Sequence, residues 1–153
     1  MARGATGKRR RKRSKDSKLD LLGKVPLFTA CSKRDLRKIA AHVEEVDVPE
    51  GKVLMHKGRH GSECFVVAEG TAKATMPGRK SVFLGPGSVL GEMSLLDGGV
   101  RSATVTAESP MHLLVLSSRD FSVVVDDVPQ VARGIMKVLA ARLRDAERAQ
   151  PQH

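Results

Sequence analysis

The residue types best suited to chemistry in this chain are gathered in residues 91–105, GEMSLLDGGVRSATV. Gly91 lets the backbone come close to a ligand, and Glu92 can accept a hydrogen bond from a hydroxyl. Residues 93–96 predict a short helical turn whose free N–H groups favour an anion. Arg101, ten residues after Gly91, supplies a planar, permanently charged fork that matches phosphate oxygens. Ser102, Ala103 and Thr104 follow as small side chains that leave room for a ligand against the strand Arg101 opens. An acceptor for sugar hydroxyls beside a fork for phosphate suits a small phosphorylated sugar. Taken singly, a Glu and an Arg at this spacing are more often a surface ion pair, so the case rests on the surrounding pattern.

The elements that must position these residues read as one domain, the size expected of a 153-residue chain. Residues 1–17 are mostly Gly, Ser, Arg and Lys with few apolar side chains, and are expected to be disordered, as are residues 150–153. The folded unit is expected over 18–149. Within 18–43, Leu19, Leu21, Leu22, Val25, Leu27 and Phe28 predict a short helix and a turn. Ser32 with Asp35 predicts a cap for a second helix burying Leu36, Ile39, Ala40 and Val43. Over 44–116 short Val-rich runs alternate with glycines, the signature of an all-β sandwich or barrel, and Pro77-Gly78 fits the centre of a type II turn. Over 117–149 two helices are expected, residues 118–125 and a longer one capped by Asp127 with Gln130 and running to Arg148. That last helix carries an apolar stripe of Val131, Ile135, Val138, Leu139 and Leu143, which simple packing on the sheet would explain.

The net charge of +10 is unevenly spread. Residues 1–18 hold nine Lys or Arg and one Asp, so eight of the ten charges belong to a tail and the remainder is nearly balanced. With no Trp or Tyr, binding of sugars or single-stranded nucleic acid by stacked rings is disfavoured. Cys31 and Cys64 lack metal or redox spacing and read as reduced core residues. No apolar run approaches the ~18 residues of a membrane span, and the basic N-terminus lacks the apolar stretch of a secretory signal, so a cytoplasmic protein without a transmembrane segment is expected. No nucleophile is paired with a base, so no catalytic residue is assigned and an enzyme is not expected.

The order Gly-Glu-apolar-small-Leu-Leu, a glycine-rich spacer and RSATV resembles the phosphate-binding cassette of the cyclic nucleotide-binding domain family, as found in catabolite-activator-type proteins and protein kinase A regulatory subunits. Upstream, PEGKVLMHKG, Gly61, ECFVVAEG ending at Gly70, and GPGSVLGE agree with that family. Ser88 departs from it, where an aspartate is common. The resemblance implies an eight-stranded jelly roll, a double-stranded β-helix, with an N-terminal helical segment, an internal cassette helix and C-terminal helices. It implies that Glu92 binds the ribose 2′-hydroxyl, Arg101 an exocyclic phosphate oxygen and Ser102 a further contact. Gly91, Met93 and Ala103 would offer N–H groups or space, and Ser94 and Thr104 complete the ligand-binding set. The ligand implied is 3′,5′-cyclic AMP, with cyclic GMP left open by Ser102; no cofactor is implied. The last helix would lid the base through Leu139, Arg142 and Leu143, move on ligand binding, and form a homodimer seam. A helix-turn-helix after it is not expected, and the sequence names no effector.

Two other readings stand beside this one. The tail, KRRRKRSKDSK within residues 3–18, can bind RNA, DNA or an anionic membrane surface without sequence preference, or serve only as a solvated or localising element. A cupin-like metal site is faintly suggested by His56, His60, Glu63 and Gly70, but the histidines are four apart rather than two and the second motif is missing, so no metal is assigned.

Overall fold

The computed structural model describes residues 15–149. Helix α1 (Lys15–Gly23), a 3₁₀ turn (Pro26–Phe28) and helix α2 (Lys33–Ala40) precede the sheet. α2 starts where the sequence predicts. The Ser32 hydroxyl accepts from the Asp35 N–H at 3.1 Å while the Asp35 carboxylate accepts from the Ser32 N–H at 3.2 Å, a reciprocal cap.

Eight strands follow: β1 (Glu44–Val48), β2 (Val53–Met55), β3 (Glu63–Glu69), β4 (Ala72–Thr75), β5 (Val82–Leu84), β6 (Val89–Leu90), β7 (Thr104–Ala107) and β8 (Met111–Ser117). They form two antiparallel four-stranded sheets, in the orders β1-β8-β3-β6 and β2-β7-β4-β5, the jelly roll the sequence resembles. A helix α3 (Glu92–Asp97) interrupts the strands between β6 and β7, and α4 (Ser118–Asp127) and α5 (Pro129–Ala149) close the described chain. At the β4–β5 hairpin, Gly78 has φ 73° and the Arg79 N–H donates to the Met76 carbonyl at 3.2 Å, the type II turn expected of Pro77-Gly78.

Strand alternation makes the first sheet the wall between two cores. Phe65 and Val67 of β3 with Met111, Leu113 and Val115 of β8 face the second sheet, while Cys64, Val66, Leu114 and Leu116 face the helices. The helix-side core includes Leu22, Leu27, Ile39, Val124 and Val131. Among these apolar residues lies a buried imidazole. His112 on β8 meets Asp47 Oδ1 at 2.7 Å through Nδ1 and Glu45 Oε1 at 2.8 Å through Nε2.

The junction of the last two helices differs from expectation. α4 runs through Asp127, so Asp127 is a helical residue rather than a cap. Val128 is extended, at φ −125° and ψ 93°, and α5 opens on Pro129. Proline disfavours helical backbone at the residue before it and suits the first helical position, which sets the break at Val128.

Candidate functional site

Residues 91–105 fold around one buried side chain, Arg101. Gly91 takes φ 78°, a left-handed conformation that turns the chain from β6 into α3, and Gly98, at φ 62°, ends α3 in the same way. Main-chain bonds pin the returning segment: the Arg101 N–H donates to the Arg59 carbonyl at 2.7 Å and the Gly58 N–H to the Arg101 carbonyl at 2.9 Å. The Arg101 side chain turns inward beneath α3. Its Nη1 donates to Ser94 Oγ at 2.7 Å and its Nη2 to the Glu63 carbonyl at 2.8 Å, while Ser94 Oγ donates to the Gly91 carbonyl at 2.7 Å. A Cβ on Gly61 would collide with the guanidinium carbon and one on Gly91 with Nη1, so both glycines are required by the close approach of this group. Burial lowers the Arg101 pKa against the Glu63 charge, which raises it; with five N–H donors and two protein acceptors, the cation keeps donors to spare.

Glu92 stands at the start of α3, half-buried. Its Oε1 lies 3.5 Å from Arg142 Nη2 of α5, whereas Oε2 is buried with no hydrogen-bond partner among the described residues. Burial raises the Glu92 pKa, and the Arg142 charge and hydrogen bond pull it back down. A buried acceptor without a donor costs about 1–3 kcal/mol, a deficit that an arriving hydroxyl would remove. Below the site the Cys64 thiol is pushed up to about 12, by burial first and by Glu92 second, and so stays uncharged at neutral pH.

Gly91, Glu92, Met93, Ser94, Arg101, Ser102 and Arg142 line one open cavity of about 230 Å³, with Met55, Val89 and Val100 as its apolar walls. Two larger cavities, about 430 Å³ beside His42 and Val124 and about 260 Å³ between the sheets at Val46 and Phe65, have no unpartnered buried polar side-chain atom in their walls. The structure therefore brings together six of the eight residues expected from the 91–105 segment and leaves two outside. Ala103 falls beyond the lining, and Thr104 belongs to β7, where its Oγ1 accepts from the Lys57 N–H at 3.1 Å. Of the three candidates on the last helix only Arg142 reaches the cavity. Leu139 and Leu143 are 46% and 63% exposed and lie outside its lining.

The histidines of the metal reading have other surroundings. His60 Nδ1 meets the Gly98 carbonyl at 2.9 Å, which closes the segment after α3, His56 is exposed, and the Glu63 backbone serves Arg101. Among the described residues no group of three or more His, Cys, Asp or Glu is placed to hold a metal ion. No helix among them is long and apolar enough to cross a membrane. The Glu63 carbonyl and the apolar walls were not legible as parts of the cavity, because a main-chain carbonyl and an ordinary apolar side chain leave no chemical signature in a sequence, and Gly61 stood out only through the family pattern.

Sequence and structure comparisons give the family and the fold. The family model described as cyclic nucleotide-binding domain matches residues 45–127, more than half of the chain. A cyclic nucleotide-gated potassium channel of Mesorhizobium japonicum is 36% identical over 122 residues, covering 80% of this chain and 34% of the channel. The cyclic AMP receptor protein of Thermus thermophilus is 34% identical over 127 residues, covering 80% of this chain and 59% of that protein. The chain thus spans about one third to three fifths of the length of these relatives. Among solved structures, the N-terminal domain of a transcriptional regulator from Streptomyces coelicolor A3(2) superposes with a TM-score of 0.75 at 34% identity, covering 87% of this chain and 96% of that one. The regulatory domain of Toxoplasma gondii PKA, crystallised with cAMP, shares the fold at a TM-score of 0.65 and 22% identity, over 74% of this chain and 46% of that one. With a cassette built on a buried arginine and a matched family model, the chain belongs to the cyclic nucleotide-binding domain family.

Proposed function

We propose that this chain is a sensor that binds a purine 3′,5′-cyclic nucleotide, cyclic AMP ahead of cyclic GMP, and passes occupancy on through α5. The observation that carries the reading is the pairing, across one cavity, of a buried guanidinium with donors to spare and a half-buried carboxylate whose Oε2 has no donor. The first takes the ring phosphate and the second the ribose 2′-hydroxyl. At about 230 Å³ the cavity falls below the ~300–1,000 Å³ of pockets that enclose a whole ligand. It suits the sugar-phosphate, and the base extends toward α5. Cyclic AMP comes first because the Thermus relative is a cyclic AMP receptor protein, and Ser102 is exposed and free to serve either purine. The site recognises and does not react: the Ser94 hydroxyl beside Arg101 donates to the Gly91 carbonyl rather than to a base. A ligand repositions α5 only through a difference in affinity for its two positions. Met136, Leu139 and Leu143, exposed along that helix, supply a seam for a second copy of the chain.

Calorimetric titration with cyclic AMP, cyclic GMP and 2′-deoxy cyclic AMP tests the reading. Cyclic AMP is expected to bind most tightly and the deoxy analogue at least tenfold more weakly, about the worth of a hydrogen bond to a charged group. Folded protein that binds neither purine cyclic nucleotide at millimolar concentration ends the proposal.

The charge distribution favours a second role for the same chain. Eight of its ten net positive charges lie within residues 1–18, so the tail would bring the sensor to a polyanion such as RNA, DNA or an anionic bilayer. The seven Lys or Arg of residues 3–13 lie outside the described residues. Deleting residues 1–14 is expected to abolish salt-sensitive retention on heparin and leave nucleotide affinity unchanged. Equal retention removes this role.

A further inference from the structure

The cavity contains a second cation whose job the phosphate does not use. Arg142, well along α5, approaches Glu92 Oε1 with Nη2 at 3.5 Å, and both residues line the cavity. The two oxygens of Glu92 are thereby divided. Oε1 is turned to a cation, while Oε2 is buried and free of any protein donor. The tie is also informative about α5. Val131 is buried and Ile135 and Val138 pack on the helix-side core, but Met136, Leu139 and Leu143 are exposed. Beyond Val138, Arg142 therefore supplies the polar link from this helix to α3.

We propose that Arg142 is a positioning residue: it holds the Glu92 carboxylate by Oε1, leaves Oε2 as the acceptor for the sugar hydroxyl, and so couples the outer half of α5 to recognition of the sugar. The proposal rests on the reading of the cavity as a cyclic nucleotide site. A carboxylate in this setting must stay ionised to act as a pure acceptor, because the protonated acid spends one oxygen as a donor. Burial favours the proton on Glu92 and Arg142 opposes it. The other groups around Glu92 do not replace Arg142. On β3 the Cys64 thiol is uncharged through the neutral range, and Glu63 faces Arg101. Arg101 spends two donors on Ser94 and the Glu63 carbonyl, on the phosphate side of the site. Asp97 accepts from the Gly99 N–H at the far end of α3, and on α4, which packs against α3, Asp120 is taken by Ser117 and His42.

The test is calorimetry on wild type, Arg142→Gln and Arg142→Lys with cyclic AMP and 2′-deoxy cyclic AMP, from mildly acidic to neutral pH. Thermal unfolding checks that each variant is folded; Arg142 is half-exposed, so its loss leaves no buried gap. Arg142→Gln is expected to weaken cyclic AMP about fivefold, the scale of a partly exposed ion pair. It should also move the acid limb of cyclic AMP binding to higher pH, while binding of the deoxy analogue is unchanged. Arg142→Lys should restore most of the loss. An equal loss for both ligands would make Arg142 a direct contact to base or phosphate, and a gain in affinity would make it a competitor of the sugar. Either result, or an unchanged acid limb, overturns the proposal. Wild-type protein that binds neither ligand overturns the site reading itself, which separates the two failures.

Discussion

Arg101 shows how much of a binding site is made before any ligand arrives. The residue is 8% exposed, and its guanidinium ties α3 to β3 through Ser94 and the Glu63 carbonyl and occupies space that Gly61 and Gly91 leave open. Its replacement therefore acts twice. Arg101→Ala is expected to weaken cyclic nucleotide binding by about 2–5 kcal/mol, the range for truncating one partner of a buried hydrogen-bonded charge pair. It also leaves the buried Ser94 hydroxyl and Glu63 carbonyl short of a donor, so the unliganded fold should lose about 1–3 kcal/mol. Calorimetry and urea denaturation separate the two effects; equal affinities would remove Arg101 from the site. Glu92 and Arg101, which the structure brings to one cavity, could be singled out in the sequence because a carboxylate and a guanidinium carry their chemistry in the side chain, whereas Ser94 entered only through the family resemblance. Thr104 lies outside the cavity lining: a small polar residue after the arginine reads equally well as ligand room or as the start of a strand, and in β7 its hydroxyl accepts from the Lys57 N–H. The buried His112 gave no sign of its place either. Its partners Asp47 and Glu45 lie across β1, and only strand register puts them beside it.

At the scale of elements, local signals that close within a few residues were legible and those that depend on a distant partner were not. The Ser32 cap and the Pro77-Gly78 turn belong to the first kind. β4, with the sequence AKAT, belongs to the second: two alanines and a lysine have little strand preference, and the segment is extended because β5 and β7 pair with it on either side. The two-residue β6 is likewise defined by its pairing with β3. In α5 the stripe was legible, but the reason it docks where it does is Gly134. A Cβ there would run into the Leu27 carbonyl and its neighbouring backbone atoms, so glycine lets α5 lie directly on the 3₁₀ turn. Two effects of opposite sign then meet in Gly134→Ala. Helix propensity favours alanine by about 1 kcal/mol, whereas forcing a methyl group against unyielding backbone costs about 1–3 kcal/mol. The clash is expected to win, with net destabilisation in urea and weaker nucleotide binding as α5 is lifted away. A stabilised variant would show that the helix is not seated on the turn.

For the whole molecule, the proposed site would couple ligand, proton and stability. Two cores share one sheet, and the cassette packs on β3 of that sheet, so whatever stabilises the cassette stabilises the fold. A ligand that binds only the folded chain adds RT ln(1 + [L]/Kd), about 2.7 kcal/mol at a hundredfold excess over Kd, so thermal unfolding reports occupancy. Glu92 gives this gain a pH dependence of defined sign. Its folded pKa is raised above the ordinary carboxylate value, mainly by burial, so between the two values the folded chain holds more protons than the unfolded one. Stability of the unliganded protein from this group is then fully present below the ordinary value and declines as pH rises through the folded pKa. Above that pKa Glu92 is an ionised acceptor lacking a donor at Oε2 among the described residues, and on the proposed reading the sugar hydroxyl supplies one. The ligand-induced rise in unfolding temperature should therefore be largest at neutral pH and shrink on acidification through the Glu92 pKa, where the protonated carboxyl is a poorer acceptor. Cyclic AMP should show this dependence and 2′-deoxy cyclic AMP should not, since it brings no 2′-hydroxyl to Glu92. Parallel slopes for the two ligands would mean that another titrating group sets the pH response and that the carboxylate does not meet the sugar.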